Sequence, residues 1–151
     1  MHNFTKSQTR LAFIQFIFQF EFDYLQNENH IDNFQEHFYN QNISIIGEKK
    51  EFKLKFNKNF LKKLSENYLE NFDKNFYTNS VNKNISSVRK FEKWNKVLKS
   101  LIFAILSELQ MTEEKKIKIV INDYLNISKT LVSLKETKLI NAIIQKILDE
   151  K

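Results

Sequence analysis

The chain of 151 residues contains one glycine, no proline and no cysteine, with 42% hydrophobic and 14% aromatic residues and a formal net charge of +6. This supplies material for one sizeable core and a single domain, with approximate halves 1–80 and 81–151. The lone Gly47 excludes the P-loop, the dinucleotide fingerprint and the GxSxG elbow, each of which needs several glycines at fixed spacing.

So few turn-forming residues predict an all-α fold. The absence of cysteine removes disulfides, thiolate chemistry and cysteine-based zinc sites, and fits a reducing, cytoplasmic compartment. At the start, Lys6 and Arg10 precede an apolar run. Gln15, Gln19 and Glu21 interrupt that run and Asp23 ends it, so neither a signal peptide nor a membrane span is expected.

Between Lys6 and Leu25 the apolar residues are dense. Phe16, Phe18, Phe20 and Phe22 alternate as a strand would, but the run is too long and Leu11-Ala12-Phe13-Ile14 breaks the period of two. A central helix, buried nearly all round, is the better reading; Thr5 or Ser7 would cap it and Asn27-Glu28-Asn29 would end it. His30 to Tyr39 has Ile31, Phe34 and Phe38 at helical spacing, and Asn40 to Gly47 reads as loop. Next, Phe52, Phe56, Phe60, Leu64, Tyr68, Phe72 and Phe76 recur every fourth residue, widened by Leu61 and Leu69. Six such steps rotate the stripe by about 240°. Either one helix is buried on different sides at its two ends, or it bends or breaks between Asn67 and Lys74; the first is favoured.

Thr78 to Ser87 is polar and reads as an internal linker. Val88 to Met111 carries an amphipathic stripe of Phe91, Trp94, Val97, Leu98, Leu101, Ile102, Ile105 and Leu109. Thr112-Glu113-Glu114 offers a cap for the next helix, Ile117 to Leu131. Lys135 to Leu148 ends the set, with Leu139, Ile140, Ile143, Ile144 and Ile147 on one side.

No catalytic constellation emerges, so no enzymatic activity and no cofactor are expected. His2, His30 and His37 lack the spacing of a metal site, and the pairs Glu113/Glu114 and Asp149/Glu150 suit helix ends better than acid–base work. Positive charge is concentrated in two segments. Glu48 to Lys63 holds seven lysines and two glutamates; Lys83 to Lys99 holds six basic residues and one acid. Taken alone, each reads as a solvated helix face.

Three blocks carry a resemblance. They are Arg10-Leu11-Ala12-Phe13-Ile14-Gln15-Phe16-Ile17-Phe18-Gln19-Phe20-Glu21, then Ile105-Leu106-Ser107-Glu108-Leu109, and finally Ile119 to Lys129 followed by Lys138-Leu139-Ile140-Asn141-Ala142-Ile143-Ile144. In order and spacing they resemble the NusB family of transcription antitermination factors. Phe18 stands in place of the family's tyrosine, Phe13 in place of a small residue, and Val132 and Ala142 in place of glycines. The family's arginine-rich amino terminus is reduced to Lys6 and Arg10.

The resemblance implies a NusB-like helical domain of two three-helix subdomains. It also implies binding of boxA-type RNA together with NusE, a small-subunit ribosomal protein, in an antitermination complex on RNA polymerase that promotes transcription of ribosomal RNA operons. Some relatives are homodimers. By family position the RNA-binding residues would be Lys6, Arg10, Gln15, Phe18, Lys135, Lys138 and Asn141. Lys6 and Arg10 would meet phosphates, Gln15 a base edge, and Phe18 an unpaired base, although core packing is favoured for Phe18 on composition. Lys135 falls where the family often has an acid, adding attraction for RNA. Asn122 and Asn141 are read as satisfying buried backbone groups that lock the last two helices together. Two alternatives remain: a helical protein-interaction module, or the detached RNA-binding domain of a ribosomal RNA methyltransferase.

Overall fold

The computed structural model describes residues 3–22, 43–44, 51–52, 55–85 and 89–150. Among them are six α-helices: α1 (Asn3–Phe22), α2 (Lys58–Asn71), α3 (Lys74–Lys83), α4 (Lys96–Leu109), α5 (Ile117–Ser128) and α6 (Leu134–Asp149). A two-residue antiparallel ladder pairs Ile43 with Phe52 and Ser44 with Glu51. The expected helix His30–Tyr39 lies outside the described residues, as do all three histidines.

Helix α1 is central, as its dense apolar sequence requires. Thr9 through Ile14, Phe16 and Ile17 are all buried, and α2, α4 and α5 pack around it. Helix α4 is equally enclosed: every residue from Ser100 to Leu109 is buried, polar Ser107 and Glu108 included. Its sequence stripe predicts one apolar face; the structure buries the remaining faces too, because α1, α2, α5 and α6 all contact it. One continuous core runs from Leu11 through Leu61, Tyr68, Leu101 and Tyr124 to Ile147.

The long stripe from Phe52 to Phe76 is not a single helix, contrary to the favoured expectation. Phe52 belongs to the ladder, and α2 begins only at Lys58, where Asn57 Oδ1 accepts the Phe60 N–H at 2.8 Å. The helix then stops at Phe72, whose backbone is extended, and Asp73 caps α3 by accepting the Phe76 N–H at 3.0 Å. This break resolves the drift of a four-residue repeat. It moves the buried position from Phe76, which is 59% exposed, to Tyr77, which stacks on Phe72 at 4.8 Å. Leu69 likewise faces solvent while Leu61 is buried.

Other boundaries also shift. Helix α3 extends through Lys83, so six of the ten residues of the expected linker are helical. The element expected from Val88 begins instead as a 3-10 turn, Phe91–Lys93, and α4 starts after Asn95, whose Oδ1 accepts the Val97 N–H at 2.8 Å. Thr112 does not cap α5; its hydroxyl donates back to the Glu108 carbonyl at 2.7 Å. Ser133 and Glu136 form a reciprocal capping box at the start of α6.

Candidate nucleic-acid interface

A buried charge cluster holds α1 to the rest of the molecule. Arg10 is only 7% exposed. Its Nε donates to Glu108 Oε1 at 2.9 Å, its Nη2 to Glu108 Oε2 at 2.7 Å, and its Nη1 to Asp123 Oδ2 at 2.6 Å. The Tyr124 hydroxyl donates to Glu108 Oε1 at 2.7 Å, and the Ser7 hydroxyl donates to Asp123 Oδ1 at 2.5 Å. Rings of Phe60 and Tyr124 lie 5.6 and 5.7 Å from the guanidinium carbon. Burial on its own lowers the Arg10 pKa, but hydrogen bonding and attraction from Glu108 outweigh it and hold the guanidinium charged. Burial, then the Glu108 charge, pushes the Tyr124 phenol well above its ordinary range.

The guanidinium expected to meet phosphates is thus paired with two carboxylates, while Arg10 still lines the neighbouring groove. The planar fork of arginine suits this bidentate arrangement in a way a lysine could not. The cluster draws Arg10, Glu108 and the pair Asp123 and Tyr124 from the three sequence blocks that carry the family resemblance.

Beside this cluster, the first turns of α1 and one side of α5, with Lys116 just before it, enclose a groove of about 510 Å³. Lys6 and Lys116 supply its cations, and Asn3, Asn122 and Asn126 supply amide groups. Ile119, at 67% exposure, adds an apolar edge. Arg10 and Asp123 form part of the wall. Two lysines and three amides around an open concavity can meet phosphate oxygens and base edges together.

Of the expected residues, only Lys6 and Arg10 line this groove. Gln15 and Phe18 are half-buried further along α1, and the Phe18 ring makes an edge contact with Phe22 at 6.2 Å. Lys135, Lys138 and Asn141 are exposed on α6. Asn122 and Asn141 do not lock α5 to α6, since both are exposed. That junction is made instead by the buried hydroxyl pair Ser128 and Thr137 at 3.0 Å. Lys116 and Asn126 escaped the sequence reading; the run Lys115-Lys116-Ile117-Lys118, directly before a matched block, was the signal that marks them.

Among the described residues no group of His, Cys, Asp and Glu could hold a metal ion, and no helix is long and apolar enough to cross a membrane. The fold and groove define an all-helical protein whose charged residues serve packing in one place and solvent-facing contacts in another. A family model described as NusB family matches residues 7–149, nearly the whole chain. The chain belongs to the NusB family, and this membership supports a general role in antitermination and RNA binding. No curated protein and no solved structure matches it at a significant level.

Proposed function

We propose that this protein binds boxA-type RNA together with NusE and acts, without catalysis of its own, in the transcription antitermination complex that promotes transcription of ribosomal RNA operons. The observation that carries this reading is the groove between α1 and α5, where Lys6 and Lys116 stand over Asn3, Asn122 and Asn126. The lysines neutralise backbone phosphates, and the amides reach base edges of an unpaired strand. Exposed Lys135, Lys138 and Asn141 on α6 extend the basic surface, with Gln15 and Phe18 as further contacts along α1.

Fluorescence anisotropy of a labelled boxA RNA and a scrambled control, with and without NusE and across a salt series, tests the reading. Preferential boxA binding that NusE tightens is the expected result. The Lys6→Ala/Lys116→Ala variant should bind more weakly, with the salt slope reduced by about 1.4 for two lost phosphate contacts on a single strand. If NusE associates but neither RNA binds, the protein is an interaction module and the RNA reading fails.

A further inference from the structure

Within the Lys83–Lys99 segment, the described residues Arg89–Lys99 are more than a solvated face: they form an exposed basic ridge that borders two grooves. Asn82 on α3 fastens it: the Asn82 Oδ1 accepts the Phe91 N–H at 2.8 Å, and its Nδ2 donates to Glu92 Oε1 at 2.8 Å. The chain then passes through the 3-10 turn and around Trp94 into α4, which leaves Lys90, Lys93 and Lys96 exposed. None of these three has a salt-bridge partner among the described residues. Glu92, the one acid in the segment, is occupied by Asn82, and that hydrogen bond first of all holds its carboxyl below the usual range. Lys99 lies 4.7 Å from the centroid of the Phe22 ring and donates to the Glu92 carbonyl at 3.0 Å. Burial, followed by the charge of Lys96, lowers its pKa, as expected where cations crowd.

Two grooves share residues with this segment. One, of about 390 Å³, combines the Trp94 ring with Arg89, Lys146 and Leu139. The indole is held in place, its Nε1 donating to the Arg89 carbonyl at 3.1 Å. The other, of about 350 Å³, is lined by Lys74, Lys99 and the half-buried Phe22 ring, together with Phe91 and Phe103, which are buried in the core.

We infer that this segment and its two grooves form a second contact surface for single-stranded RNA, the lysines meeting phosphates and the part-exposed Trp94 ring receiving a base. Cations set beside ring faces are what sequence-tolerant binding of a single strand requires. A folded protein partner would instead be met by a broad apolar patch. Among the described residues, of the large apolar side chains that stand exposed only Leu139 lies in these grooves. Helices α1 and α4 run antiparallel, with Arg10 against Glu108 at one end and Phe22 against Lys99 at the other. Twelve residues of α4 separate Lys96 from Glu108, a rise of about 18 Å, so the ridge and the Lys6/Lys116 groove serve different parts of one strand. The inference rests on the RNA-binding reading and extends it to the sequence flanking the recognised element.

The test compares a boxA RNA of about 12 nucleotides with one of about 30 carrying the same element in unstructured flanks. The wild-type protein should bind the longer RNA about tenfold more tightly. The Lys90→Glu/Lys93→Glu/Lys96→Glu variant should lose that advantage, and its salt slope on the longer RNA should fall by about 2. The milder lysine-to-glutamine triple variant should give the same direction of change, with circular dichroism showing that each variant is folded. If the triple variants bind both lengths as wild type does, the ridge is not an RNA surface and the groove reading stands. Equal wild-type affinity for both lengths overturns the ridge in the same way. If wild type binds neither length, both readings fall together.

Discussion

Lys6 and Arg10 are one turn apart on the same helix, yet they belong to two different regions. Arg10 is sealed into a cluster with Glu108 and Asp123, whereas Lys6 borders an open groove and has no salt-bridge partner among the described residues. The difference is set by what the neighbouring helices present at each level. At Arg10, α4 and α5 each bring a carboxylate, and Phe60 and Tyr124 exclude water. At Lys6, the turn before α5 offers Lys116 and α5 itself offers amides. Positive charge is therefore structural where carboxylates converge on it and available to a ligand where they do not. In this chain the arginine of the first matched block is held by carboxylates from two other helices.

The sharpest way to break this comparison is to remove Arg10. Arg10→Ala leaves Glu108 buried without its cation and should destabilise the protein by about 3–5 kcal/mol, measured by urea denaturation. Replacing the more deeply buried pair, Arg10→Met with Glu108→Leu, should recover part of that loss, since the carboxylate left unpaired, Asp123, is the more exposed of the two. If Arg10→Ala unfolds like wild type, the cluster is not structural and the phosphate role returns.

A smaller effect is expected from Tyr124→Phe, which removes one charge-assisted hydrogen bond to Glu108 and should cost about 1.5–3 kcal/mol. The same phenol gives a pH signature. Its pKa is raised by burial, and burial, then the Glu21 charge, likewise raises that of Tyr68, whose hydroxyl donates to Glu21 at 2.5 Å. A phenol whose folded pKa exceeds its unfolded value contributes stability that is complete below about pH 10 and is lost as the pH rises beyond it. Stability should therefore fall on the alkaline side, and the fall should be shallower in Tyr124→Phe. An unchanged alkaline profile in that variant would exclude Tyr124 as a source.

The smallest stability effect sharpens the contrast from the other side. Lys6→Ala/Lys116→Ala should shift unfolding by no more than about 0.5 kcal/mol, because neither side chain holds a buried partner. A large loss in thermal denaturation would mean that the groove is part of the scaffold.

Much of the fold was legible in the sequence. The central position of α1 follows from apolar residues on every side of a helix, which leave no face for water. The last two helices and the apolar side of α6 were likewise visible in their spacing. The break at Phe72 was open as an alternative but was not favoured, because a four-residue repeat states that the stripe must drift and not how the chain absorbs the drift. Asp73 as a cap and the exchange of Phe76 for Tyr77 settle that, and both depend on the aromatic stack of Tyr68, Phe72 and Tyr77.

The candidate site was less legible. Residue type marked Arg10 and Lys6 equally as phosphate ligands, since only the arrival of Glu108 from 98 residues away separates them. Lys116 and Asn126 join the groove through the packing of α5 on α1, a juxtaposition with no local sequence signal beyond the neighbouring lysines.

By itself the sequence determined the helical class, the exclusion of glycine-loop and thiol chemistry, the family and the enclosed central helix. Each follows from composition, from local spacing or from short motifs. Only the tertiary structure decided which cations are neutralised and which face solvent, because charge pairing across helices depends on distances between residues far apart in the chain. It also decided that Ser128 and Thr137, rather than Asn122 and Asn141, join the last two helices. The physical reason is the same: a polar group must be satisfied where it is buried, and burial is settled only when the helices have packed.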